Sequence, residues 1–139
     1  MFLRSSLAHG VAAFFVILVA ACVGCRPETK LTEVQRVRSG DIEIVLLSQD
    51  GVLHQKDSFT IEFRSSAGGT LLDVGTVRAN ASMPMPGMPM LGSIEVRPGK
   101  AAGRYTANTN LDMAGGWRIA LEWDGPAGRG AVNFAGTVQ

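Results

Sequence analysis

The stretch WRIALEW, residues 117 to 123, sets Trp117, Ile119, Leu121 and Trp123 in alternation with Arg118, Ala120 and Glu122. Successive side chains of an extended strand leave on opposite faces, so a period of two lays both indoles on one side and the charges on the other. On a helix the same apolar residues would scatter around the axis. The stretch therefore reads as a half-buried strand, and the same pattern recurs outward from it. Ile42, Ile44 and Leu46 alternate with Asp41, Glu43 and Val45, and Phe59, Ile61 and Phe63 alternate with Thr60, Glu62 and Arg64. Further strands are expected near 71–82, 92–97, 104–111 and 130–138, separated by breaks such as Ala67-Gly68-Gly69 and Asp124-Gly125-Pro126. About seven strands at regular spacing predict an all-β fold, an immunoglobulin-like antiparallel β-sandwich.

A chain of 139 residues without an internal repeat has room for one domain of ordinary size. Its net charge of +1 offers nucleic acid no basic face. Seventeen glycines, and no helix-period stripe after residue 30, agree with short strands joined by tight turns.

The first 21 residues read as a targeting segment rather than as fold. Arg4 gives a basic start, Val11 to Ala20 is an apolar run too short to cross a membrane comfortably, and Val19-Ala20-Ala21-Cys22 matches a bacterial lipobox. Residues 1–21 are thus expected to be a lipoprotein signal peptide, with Cys22 the lipidated first residue of the mature chain. The loss of Arg4 brings the net charge to zero. The expected address is the periplasmic side of the bacterial envelope, with the membrane as partner through the lipid. Val23 is not the aspartate that retains lipoproteins at the inner membrane of enteric bacteria, which tilts the address outward. Cys22 and Cys25 also spell C-x-x-C, a spacing suited to a soft metal or a disulfide, but acylation would consume the Cys22 sulfur. Residues 22–40 are read as lipidated N-terminus and tether, since RPETKLTEVQRVRSG is polar and lacks clear alternation. The folded domain is expected over 41–139.

MPMPGMPM, residues 83–90, holds four of the five methionines left after the signal segment. Proline cannot join the interior of a sheet, so this run belongs at a surface. Pro86-Gly87 suits the middle of a type II turn. Continued outward as a hairpin, the turn would set Met85 opposite Met88, Pro84 opposite Pro89 and Met83 opposite Met90, with all four sulfurs on one face. Type II turns match strand twist less well than the primed types, which would let the arms splay. Thioethers are soft, neutral donors that need no deprotonation, so Met83, Met85, Met88 and Met90 select copper(I) over zinc, magnesium or calcium. The competing use of the same residues is as flexible apolar contacts on a protein-binding surface.

Three motifs carry a resemblance: the Met-Pro-x-Met run, Gly103-x-Tyr105, and Met113-Ala114-Gly115-Gly116-Trp117. With them the chain resembles the YtkA-like (FixH-like) family over roughly residues 40 to 138. That resemblance implies a small immunoglobulin-like envelope domain, associated in several relatives with heavy-metal efflux adaptors and copper-handling proteins, which are the partners it suggests here. Relatives often carry histidine beside the methionines. This segment has none, which argues against tight binding of divalent ions.

Met113 is a candidate fifth sulfur. Trp117 could offer an indole face to a cation, although its place in the 117–123 stripe favours a core role. His54, in a polar turn, is expected at the surface. One histidine after the signal segment, no serine with an evident His and acid pair, and acids spread singly along the chain argue against an enzyme.

Overall fold

A computed structural model describes residues 28–139. Eight strands form: β1 (Thr32–Ser39), β2 (Ile42–Ser48), β3 (Ser58–Ser65), β4 (Thr76–Met83), β5 (Met90–Pro98), β6 (Arg104–Asn110), β7 (Gly115–Gly125) and β8 (Gly128–Val138). The signal segment, Cys22 and Cys25 lie outside the described residues. All neighbours are antiparallel, and one hydrogen-bonded sheet runs β1-β2-β3-β6-β5-β4-β7-β8. Its two edges, β1 and β8, come side by side, with the Gln35 side chain reaching toward Gly136. No ladder joins them among the described residues, so the sheet is nearly, but not fully, a closed barrel.

The all-β antiparallel expectation holds, with two differences in layout. The ladder is continuous through eight strands where a seven-stranded sandwich would divide into two sheets. Curling brings every inward face onto one core that includes Phe63, Trp117, Leu121, Trp123 and Phe134. Glycines make room for the indoles. A Cβ on Gly92 would sit 3.0 Å from Trp117 Cζ3, and one on Gly130 would sit 2.1 Å from Trp123 Cζ2, so each ring lies directly on a strand backbone. Phe63 packs edge-on against both Trp123 and Tyr105, with ring centroids 5.2 and 5.6 Å apart.

The second difference is at the start of the domain. Residues 32–39, expected to be tether, are β1, which pairs along β2 from Thr32↔Ser48 to Ser39↔Ile42. Its alternation is blurred because a register shift between Glu33 and Gln35 interrupts the period, and Arg36 and Arg38 line its outer face. Val34 and Val37 nevertheless pack on the core. Among the described residues, every fully buried core residue lies between Ile44 and Val138.

The outer wall hides one acid that alternation assigns to solvent. Glu62 is only 1 % exposed, lying between Arg64 and Arg104, whose guanidinium is 2.6 Å away. The cross-strand pairing Glu62↔Arg104 brings that second cation over it, and this pairing depends on β6 lying next to β3.

Candidate functional site at the methionine-rich mouth

Antiparallel pairing fixes which ends of the strands meet. Met83↔Met90, Ser82↔Arg118, Gly115↔Val138, Ser93↔Asn110, Ser58↔Asn108 and Thr32↔Ser48 all lie toward one mouth of the barrel. Every methionine among the described residues, Met83, Met85, Met88, Met90 and Met113, is at this mouth.

Met83 and Met90 form the last pair of the β4–β5 ladder. They share the inward face with Ala81 and Gly92 and pack against the edge of the core. Beyond them the hairpin expected from sequence opens out. Residues 84–89 form a loop rather than further rungs, and Gly87 takes the positive φ of 89° that the Pro86-Gly87 turn requires. The opening has a physical cause: Pro84 and Pro89 bring no N–H to a ladder, and the turn's twist opposes that of the strands. The four sulfurs are therefore divided. Met83 and Met90 are half-buried, while Met85 and Met88 stand out in solvent at 44 % and 78 % exposure.

Met113 joins them through topology. Residues 111–114 link β6 to β7, which are separated in the sheet by β5 and β4, so the link passes over the ends where Met90 and Met83 sit. Its position is pinned at three points. Leu111 is fully buried against Gly92, the Trp117 indole N–H donates to the Met113 carbonyl at 2.9 Å, and a Cβ on Gly115 would come within 3.0 Å of the Met83 methyl. Trp117 itself is 2 % exposed, so its ring serves the core, and its contribution to this mouth is to hold the Met113 loop. Sequence reasoning missed Leu111, Gly92 and Gly115 as supports. The short link was visible, but the strand order that carries it over β5 and β4 was not.

A strap closes the other side of the same mouth. Leu53 bridges to Val138, and the Gln55 carbonyl accepts from Leu111 N–H at 2.9 Å. The Thr109 hydroxyl donates to the His54 carbonyl at 2.8 Å. The His54 ring turns to Asp50, with Nε2 2.7 Å from Oδ2. That hydrogen bond raises the imidazole pKa above its ordinary value and lowers that of Asp50. His54 thus has a carboxylate partner instead of the purely solvated setting expected for it. Among the described residues no group of three or more His, Cys, Asp or Glu is arranged to hold a metal. The sulfur donors at this mouth are thioethers, which suit a soft monovalent ion. A concavity of about 620 Å³ lies at the opposite end and is lined by residues that include Arg78, Glu122, Asp124 and Arg129.

A curled eight-stranded antiparallel sheet with sulfur donors at one mouth defines a small β-domain with a soft, apolar rim. The YtkA-like family profile matches residues 36–122, and the chain belongs to that family. Two solved structures of FetP from uropathogenic Escherichia coli strain F11 share the fold. One is the copper-bound form of a glutamate-to-glutamine variant, at 10 % identity and TM-score 0.55, covering 78 % of this chain and 97 % of that one. The other is the as-isolated protein, recombinantly expressed in the periplasm of Escherichia coli BL21(DE3), at 11 % identity and TM-score 0.50, covering 79 % of this chain and 97 % of that one. No curated protein sequence matches the chain.

Proposed function

We propose that the chain is a lipid-anchored envelope protein that binds copper(I) at its methionine-rich mouth and passes it on, as an accessory to heavy-metal handling or efflux and without catalytic activity. The observation that carries this reading is the gathering of Met83, Met85, Met88, Met90 and Met113 at one end of the barrel, with Met83 and Met90 held by the core and Met85 and Met88 exposed. Two held sulfurs reduce the ordering cost of binding, and two exposed ones leave the ion open to exchange with an acceptor. The copper bound to a FetP variant of the same fold supports the reading.

A metal-free role as a docking module for an efflux adaptor or another envelope complex uses the same surface, and the exposure of Met85, Met88 and Leu91 favours it as the second reading. Anaerobic titration of copper(I) in competition with a chromophoric chelator separates the two. Replacing Met83, Met85, Met88 and Met90 together by leucine keeps bulk and apolarity while removing the donors. Copper(I) binding is expected in the native chain and lost in this variant. Unchanged binding in the variant removes residues 83–90 from the metal reading, and absence of binding in the native chain leaves the docking role.

A further inference from the structure

The large apolar side chains that the described residues leave exposed are Met85, Met88, Leu91 and Met113, and all four are at the methionine-rich mouth. Leu91 is 73 % exposed on the outer face beside Met90. No charged residue occurs from Met83 to Ile94. The chain reaches the fold at this same mouth, because Thr32, the first residue of β1, pairs with Ser48, the last of β2. Only the ten residues from Cys22 to Leu31 separate the expected lipid from that strand. Fully extended, they reach at most about 35 Å.

We propose that this mouth rests on the bilayer that anchors the chain, with Met85, Met88 and Leu91 in the interfacial layer. The proposal rests on the lipoprotein reading of Cys22. A short tether confines the mouth near the membrane, so a small apolar contact is made at high effective concentration and needs little affinity of its own. An uncharged tip of methionine, proline and leucine meets no desolvation penalty from fixed charge when it enters that layer. Docking in this way turns the thioethers toward the membrane and the groove near Arg78 and Arg129 away from it.

The test is peroxide oxidation without metal, with sulfoxide at each methionine read by peptide mass spectrometry. The mature lipidated chain is inserted in vesicles of phosphatidylethanolamine and phosphatidylglycerol, and fragment 28–139 is added to identical vesicles as the free reference. The expected result is that the anchored chain floats with the vesicles and that its Met85 and Met88 oxidise several-fold more slowly than in the fragment. Met88→Glu combined with Leu91→Glu should return Met85 of the anchored chain to the fragment's rate. Flotation with equal oxidation rates overturns the docking proposal and leaves lipidation standing, whereas failure to float overturns both. Protection unaffected by the glutamate pair, or seen only in native envelope vesicles, also overturns it, the latter by assigning the mouth to a membrane protein.

Discussion

Gly92→Ala tests how the core positions the candidate site. Gly92 is in β5, two residues after Met90, and its added Cβ would lie 2.3 Å from Leu111 Cδ2 and 3.0 Å from Trp117 Cζ3. Leu111 is fully buried and Trp117 2 % exposed, so neither can swing into solvent to relieve the overlap. The backbone accepts alanine here, since Gly92 has no positive φ, and leaving glycine in a strand would by itself yield about 0.5–1 kcal/mol of stability. Overpacking of a tight core costs about 1–3 kcal/mol and outweighs that gain. The expected net loss is about 1–2 kcal/mol, a fall in Tm of about 4–8 °C for a domain of this size. Gly130→Ala is the matched control, because its Cβ would overlap the buried Trp123 at the opposite end. Thermal unfolding by circular dichroism should show comparable losses for both variants. Copper(I) competition should show weakened binding for Gly92→Ala alone, because the displaced Trp117 and Leu111 hold the Met113 loop. A Gly92→Ala protein as stable as the native chain would show that the core yields at this point, and one destabilised with copper(I) affinity unchanged would show that Leu111 and Trp117 do not position the metal site.

Leu121→Ala or Ile119→Ala should cost about 2–5 kcal/mol in denaturant unfolding, whereas Arg118→Ala on the solvent face should cost little; equal sensitivity at Arg118 would contradict the inward stripe. The His54 midpoint, followed by NMR, should lie above the ordinary 6.5 and drop toward it in Asp50→Asn. Because the folded His54 value is raised and that of Asp50 lowered, the pair's stabilisation is complete between their ordinary values of 3.8 and 6.5, fading as pH climbs through the raised imidazole midpoint or falls through the lowered carboxylate one; a native His54 midpoint at or below the ordinary value would rule the pairing out. Cys22→Ser should abolish lipid attachment, and an unmodified Cys22 thiol or a 22–25 disulfide in the native protein would show that lipoprotein processing does not occur.

Period-two alternation makes most strands legible in the sequence, because each presents one face to the core. Trp117, Ile119, Leu121 and Trp123 are all inward and buried as that pattern requires. β1 escapes because a register shift breaks its period and its outward arginines resemble a polar tether. Alternation is also blind to lateral order. It cannot tell that β6 lies between β3 and β5, and that order is what buries Glu62 beneath Arg104 and carries Met113 over Met83 and Met90. The Met83↔Met90 pairing and the Pro86-Gly87 turn are readable from local chemistry. The division of the sulfurs is not, since it depends on where the ladder stops, and that is decided by the prolines together with the core beneath Met83 and Met90.

Copper(I) ligation by the methionines is tested by X-ray absorption at the copper edge of the anaerobically loaded chain, which reads the donor atoms themselves. The expected result is a first shell dominated by sulfur that disappears when Met83, Met85, Met88 and Met90 are replaced by leucine. A shell of nitrogen and oxygen, such as His54 and Asp50 would provide, would contradict it.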